Sequence, residues 1–291
     1  MRPVFAVLVA LIALPLLAQN SLIDQGRAAM TRGDAETASG LFEKAIAQNP
    51  KSADAHYSLG SAYGMMARNA SFFSQASLAS TTREEFEKAV ELDPNHLDAR
   101  EGLVQFYTMA PAFMGGGHDK ALAQAAEIRK RDAMRGHSVT AFIYSAEKKT
   151  DEAKKEYADE VKEFPKSPRA HLDFGLFYMG EKNYKAASDE MENAMALDRA
   201  FMPPYFRAGQ LAVLSNTNLA HGEELLRKYL TYTPKQGEPA TARAHYWLGQ
   251  IFEKQGKKAE AKGQLCGVAQ TQPEPEGCHG GAEGFRKAHR S

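Results

Sequence analysis

The chain has 291 residues but only one tryptophan and two cysteines, Cys266 and Cys278, both near the carboxyl end. So few thiols exclude a disulfide-built scaffold and a cysteine-rich zinc module. Net charge is missing as well, because 36 Lys and Arg balance 36 Asp and Glu. With no global field to draw it to a polyanion, the chain is expected to bind no nucleic acid. The familiar motifs of catalysis are also lacking. There is no His-Glu-x-x-His, no Gly-x-Ser-x-Gly and no Cys-x-x-Cys, and Cys278-His279 lacks the earlier cysteine that haem attachment requires. The acidic pairs Glu84-Glu85, Asp159-Glu160 and Glu223-Glu224 sit near Lys or Arg and read as solvated helix surface. The chain therefore reads as a non-enzyme, with no metal site and no cofactor.

Long apolar runs are confined to the amino terminus. Behind Arg2, the segment Val4 to Leu17 is almost wholly apolar, and Ala18 supplies a small residue before Gln19. This is the outline of a secretory signal peptide. A run of roughly 14 residues falls short of the about 20 that span a bilayer. The expectation is an exported protein, bacterial and periplasmic or secreted, with residues 1–18 removed and no stable membrane span left. A retained anchor is the alternative. An oxidising compartment permits Cys266 and Cys278 to pair across 12 residues, and two unpaired thiols remain equally open.

What the chain does have is a period. Gly26 and Gly60 stand 34 apart, as do His137 and His171, Tyr144 and Tyr178, Ala153 and Ala187, and Gly175 and Gly209. A fixed spacing of this length marks stacked helical hairpins, each too small to bury its own apolar face. The last unit is the plainest. Leu248, Ile251 and Phe252 form an i, i+3, i+4 stripe, Gly256 ends that helix, and Ala261, Leu265 and Val268 form a second stripe before Pro273. Gly249 and Ala261 are small where the paired helices cross most closely.

These residues resemble the tetratricopeptide repeat (TPR): an aromatic-Leu-Gly first helix, then Ala-x3-Phe-x2-Ala and a proline. Earlier units carry the same marks, among them Gly26, Phe42 and Pro50; Leu59, Gly60, Tyr63 and Phe86; and Gly209, Leu226 and Tyr229. The resemblance implies an all-α fold, a right-handed superhelical array of about seven antiparallel hairpins over residues 19–273. Residues 274–291 read as a flexible tail.

Two departures interrupt the period. Tyr63 and Phe86 are 23 apart, ten more than the 13 of a regular unit, so the insertion at 64–85 should lengthen both helices of its hairpin. Phe72 and Phe73 would lie near its tip, either as a docking knob or folded back on their own hairpin. The segment 110–119, Ala-Pro-Ala-Phe-Met-Gly-Gly-Gly-His-Asp, is longer than a normal turn. Its glycines could offer N–H groups to an anion, but no Gly-Lys-Ser/Thr follows. A connector with Asp119 as helix cap is the favoured reading. Both departures are similar to those of a subgroup of exported bacterial TPR proteins.

His56, His137, His171 and His245 share one column of the repeat. Residues 34 apart lie on successive hairpins, too far to share an ion, so packing is expected there. Recognition is the expected role, with a protein or peptide held on the concave wall that TPR first helices line. The residues expected on that wall are Tyr57, Ser61, Met65, Glu101, Gln105, Met109, Phe142, Leu172, Leu176, Met179, Phe206, Gln210, Tyr246 and Gln250. Phe142, Leu172, Leu176 and Phe206 are expected to form one apolar strip. The Lys and Asn clamp for a terminal carboxylate, known in chaperone-binding members of the family, has no counterpart at Tyr57 and Ser61 or at Leu172 and Leu176. The alternative role is an accessory subunit of an envelope enzyme or assembly complex, docking through the 64–85 hairpin or the Gly-rich loop.

Overall fold

The computed structural model describes residues 21–235 and 237–269, with the side chains of residues 72, 73 and 265–269 outside that description. The signal segment, the tail and Cys278 lie outside the described residues, and so does the side chain of Cys266. Among the described residues the chain is all-helical, without a strand. A first helix covers 21–31 (α1). It is followed by α2 (Ala35–Gln48), α3 (Ala53–Asn69), α4 (Phe72–Leu92), α5 (Leu97–Met109), α6 (His118–Arg129) and α7 (Ala133–Ala146). Then come α8 (Thr150–Glu163), α9 (Pro168–Gly180), α10 (Tyr184–Leu197), α11 (Pro203–Ser215), α12 (Leu219–Leu230), α13 (Thr241–Lys254) and α14 (Lys258–Ala269). They pair in chain order as seven hairpins. The chain divides at Glu156–Tyr157, inside α8, into two compact units.

Local chemistry starts and stops these helices. Asp34, Ser52, Asp132, Ser167 and Asn183 each accept a hydrogen bond from the backbone N–H three residues on. Each satisfies a donor that the first turn leaves orphaned. Pro168 and Pro203 occupy first-turn positions, where their missing N–H costs nothing. The turns inside the hairpins are as periodic as the helices. Gly33, Lys148, Lys182, Asn216 and Gly256 all take left-handed backbone, with φ of 81°, 59°, 58°, 57° and 77°. The Gly-rich turn between α5 and α6 has Gly115 at φ 94°, and among the described residues only the long α3–α4 hairpin lacks such a residue. In that hairpin, α3 has 17 residues and α4 has 21, against 12 to 14 for α5 to α14.

In the first unit, Phe42 and Leu59 centre one core and Phe86, Leu103, Ile128 and Ile143 another. In the second unit Met191 and Leu211 make a small core, and Phe206, Leu226, Tyr229, Leu248 and Phe252 a larger one. The histidine column ties four of these hairpins internally. His137 Nδ1 lies 2.9 Å from Glu156, His171 Nδ1 2.6 Å from Glu190 and His245 Nδ1 2.8 Å from Gln264, always 19 residues on. His56 Nδ1 reaches Glu85 at 2.6 Å across 29 residues, so the ten inserted residues leave the pairing intact.

Two surface expectations are corrected. Glu160, read with Asp159 as solvated surface, is fully buried. Neighbours on a helix point about 100° apart, so one of two adjacent acids can face inward. Asp119 is not the cap of α6. That position belongs to Gly117, and Asp119 sits within the first turn.

Candidate binding cleft

Six of the expected wall residues meet in one place in the first unit. Tyr57, Ser61 and Met65 on α3 and Glu101, Gln105 and Met109 on α5 line a cleft of about 420 Å³, together with Thr82 and Phe86 of α4. Their spacing explains this. Each trio runs at i, i+4, i+8, a single stripe along one helix face, and the two stripes belong to successive first helices.

The floor is Phe86, which is almost buried. Its ring occupies room made by two glycines: a Cβ built on Gly60 would stand 2.8 Å from Phe86 Cδ1, and one on Gly102 2.5 Å from Cε2. Tyr57 stacks on it with centroids 5.8 Å apart and lies 5.0 Å from the ring of His96. Burial is the main cause that raises the Tyr57 phenol above its ordinary pKa. The hydroxyls of the cleft are engaged, since Ser61 Oγ donates to Tyr57 O at 2.9 Å and Thr82 Oγ1 to Leu78 O at 2.8 Å.

At the rim, Arg135 holds both acids, donating to Glu101 Oε1 and Asp98 Oδ1 at 2.6 Å each. The bond to Glu101 is the main cause that raises the Arg135 guanidinium. Arg68 is exposed and has no ion-pair partner among the described residues, and the exposed Gln105 amide has no hydrogen-bond partner there either. Met109 is 70% exposed. A ligand would thus meet apolar and aromatic surface, one free amide and one free guanidinium.

The remaining expected wall residues divide. In the first unit, Phe142 is exposed. In the second, Leu176, Met179, Gln210, Tyr246 and Gln250 are half-buried. Gln210 accepts from Arg207, Gln250 donates to Glu253, and Tyr246 packs edge-on against Trp247. Leu172 and Phe206 correct the expectation: they are 5% and 0% exposed. Phe206 is enclosed by Tyr229 and the guanidinium groups of Arg207 and Arg243, so the strip predicted from Phe142 to Phe206 is not on offer to a partner. Phe72 and Phe73 open α4 beside the hairpin turn.

The Gly-rich loop spends its own donors. A 3-10 turn spans Ala112–Met114, and Gly115, Gly116 and Gly117 N–H donate to Ala112 O, Pro111 O and Tyr107 O. An anion cradle built from those N–H groups is thereby excluded. Gly116 is obligatory, because a Cβ there would lie 1.8 Å from Ala110 O. The loop leaves Phe113 87% exposed. Sequence reasoning missed the floor, Phe86 with Gly102, and the rim residues Arg68 and Asp98. Phe86 carried a signal as a repeat hallmark, but its role between two glycines depends on how three helices meet.

Among the described residues no group of three or more His, Cys, Asp or Glu could hold a metal ion, and no helix is long and apolar enough to cross a membrane.

Two segments of the chain carry the repeat itself. Residues 26–66 match the family described as TPR repeat, and residues 213–272 match the tetratricopeptide repeat. No curated protein matches the sequence. Solved structures give the fold. A thermophilic TPR protein of Thermus thermophilus is similar over 67% of this chain and 100% of its own, at 16% identity and a TM-score of 0.50. A tetratricopeptide repeat protein from Parabacteroides merdae covers 89% of this chain and 94% of its own, at 14% identity and a TM-score of 0.50. The human IFIT1 dimer with m7Gppp-AAAA covers 87% and 59%, at 16% identity and a TM-score of 0.54. The chain therefore has the TPR solenoid fold, as its period predicts.

Proposed function

We propose that this protein is a non-enzymatic, exported scaffold that holds a segment of a partner protein in the cleft between α3 and α5. The observation that carries the reading is the cleft itself: six first-helix residues from two successive hairpins converge on it. An apolar floor with one free amide suits an extended or helical segment, anchored by an apolar side chain and steadied by a hydrogen bond to its backbone. The export part rests on the Val4–Leu17 run, and intact-mass analysis of the envelope fraction should find a chain starting near Gln19. A full-length, membrane-embedded chain would overturn it.

Photo-crosslinking in the native cell tests the binding part. A crosslinker at Gln105 or at Met109 should give the same adduct, absent when the crosslinker is placed at the exposed Lys185. No adduct, or the same adduct from Lys185, contradicts the reading. A second reading, docking on an envelope enzyme or assembly complex through the 110–119 loop or the 64–85 hairpin, is favoured by one observation: Phe113 is presented by a loop whose glycine N–H groups are all hydrogen-bonded. A crosslinker at Phe113 that traps a different protein would support it.

A further inference from the structure

The second unit carries a charge arrangement that the cleft does not explain. Arg207 on α11 and Arg243 on α13 approach the same aromatic ring, with guanidinium carbons 5.4 and 5.9 Å from the centroid of Phe206. Neither forms an ion pair among the described residues. Arg207 donates to the neutral Oε1 of Gln210 at 3.1 Å. Burial and then the charge of Arg243 hold the Arg207 guanidinium below its ordinary pKa, and no carboxylate is among the groups acting on it. The two helices offer little relief, and Glu238, in the loop before α13, accepts from Lys235 N–H and acts on Tyr229. Glu253 is the only acid on α11 or α13, ten residues beyond Arg243 and so about 15 Å along the helix. Glu253 also accepts from Gln250.

Two like charges against one ring, Arg207 half-buried and Arg243 exposed, repel each other, and a bound anion would relieve that repulsion. We propose that Arg207 and Arg243 form a binding site for a dianionic oxyanion, a phosphoryl group, held by the two guanidinium groups that flank Phe206. The charge count favours this class. A carboxylate would balance one guanidinium, whereas a phosphoryl group carries roughly −1.5 to −2 near neutral pH and balances both. The donor chemistry is compatible, because a planar guanidinium can bond phosphate oxygens in pairs. The Oε1 of Gln210 is taken by Arg207, which leaves its amide N–H groups as further donors. This site is independent of the α3–α5 cleft and stands whether or not that cleft binds a protein.

The test uses the full mature chain and inorganic phosphate as probe, with acetate and chloride at matched ionic strength. Phosphate should raise the melting temperature above chloride, and acetate should not match it. Arg243→Gln removes an exposed side chain, so folding should survive. Without phosphate this variant should melt at or above the parent, since a repulsion is gone; with phosphate the parent should overtake it. Its phosphate affinity should fall about tenfold or more, and Arg207→Lys, which keeps the charge but not the fork, should also weaken binding. Tighter binding of a phosphoserine peptide, or of glycerol phosphate as a lipid headgroup mimic, would support the site and name the bearer of the group. Equal phosphate effects in parent and Arg243→Gln, or acetate as effective as phosphate, would overturn the proposal.

Discussion

Replacing glycine by alanine adds the same methyl group wherever it is done, yet this structure predicts opposite signs at two helical positions. At Gly40 on α2 a Cβ would meet nothing within 4 Å. There the change only trades a poor helix former for the best one, and Gly40→Ala should stabilise by about 0.5–1 kcal/mol. At Gly102 on α5 the Cβ would stand 2.5 Å from Phe86 Cε2, with Cδ2 and Cζ both at 2.8 Å. That is a rigid aromatic ring, not the end of a flexible chain, and the ring is also wedged against Gly60 and Tyr57. Overpacking of this kind costs about 1–3 kcal/mol. Better helix propensity returns about 1 kcal/mol, so Gly102→Ala should be destabilising by up to about 2 kcal/mol net. Urea titrations of the two single variants give the signs. A third, Phe86→Leu with Gly102→Ala, tests the cause. Removing the ring should cut the cost of Gly102→Ala by about 1 kcal/mol, as expected for residues in contact. If Gly40→Ala and Gly102→Ala shift stability the same way, or if the cost persists without the ring, the packing described for the cleft floor is wrong.

Three further outcomes follow from other parts of the molecule. Phe206→Ala should cost about 3–5 kcal/mol because the ring is wholly buried, while Met109→Ala, at an exposed side chain, should stay within about 0.5 kcal/mol; thermal or urea unfolding of both decides. Lys182→Gly should stabilise by up to about 1 kcal/mol in the same assay, because the lysine holds left-handed backbone with φ of 58°. Stability should also fall as pH rises from 10 towards 12. Burial pushes Tyr157 and Tyr229 up to about 12, whereas unfolded phenols titrate near 10, so over that window the unfolded chain releases protons that the folded chain retains. Tyr157→Phe should lose less on going from pH 10 to 12 than the parent, and an equal loss would refute the assignment.

How much of this could be read from the sequence depends on the range of the interaction. The hairpin pairing was legible because it is local: a small residue on the first helix faces one on the second, and His137 meets Glu156 only 19 residues on. The ten extra residues between Tyr63 and Phe86 predicted a longer hairpin, and the His56–Glu85 pair shows that the register survives them. The face of each first helix was legible too, which is why Tyr57, Ser61 and Met65 meet Glu101, Gln105 and Met109. What lay beyond the sequence was depth along that face. Leu176 and Gln210, four residues after Leu172 and Phe206, keep some exposure, whereas Leu172 and Phe206 are covered. Periodicity gives a side chain's direction, but whether it is covered depends on neighbouring helices that the period does not describe. The disfavoured anion-cradle alternative for the Gly-rich loop could be set aside only by the fold, for a related reason. Three glycines look like free donors on paper, and only the folded path reveals that each N–H is already bonded.

The central claim, that the α3–α5 cleft holds a partner, is tested most directly by measuring affinity and melting on the same samples of a Met65→Ala, Met109→Ala double variant, with the protein that crosslinks at Gln105 as ligand. Both side chains line the cleft and neither belongs to the buried core. The account predicts an unchanged melting temperature and an affinity weaker by about 30-fold, the loss that follows from removing about 2 kcal/mol of anchoring. Unchanged affinity in a well-folded double variant would contradict it.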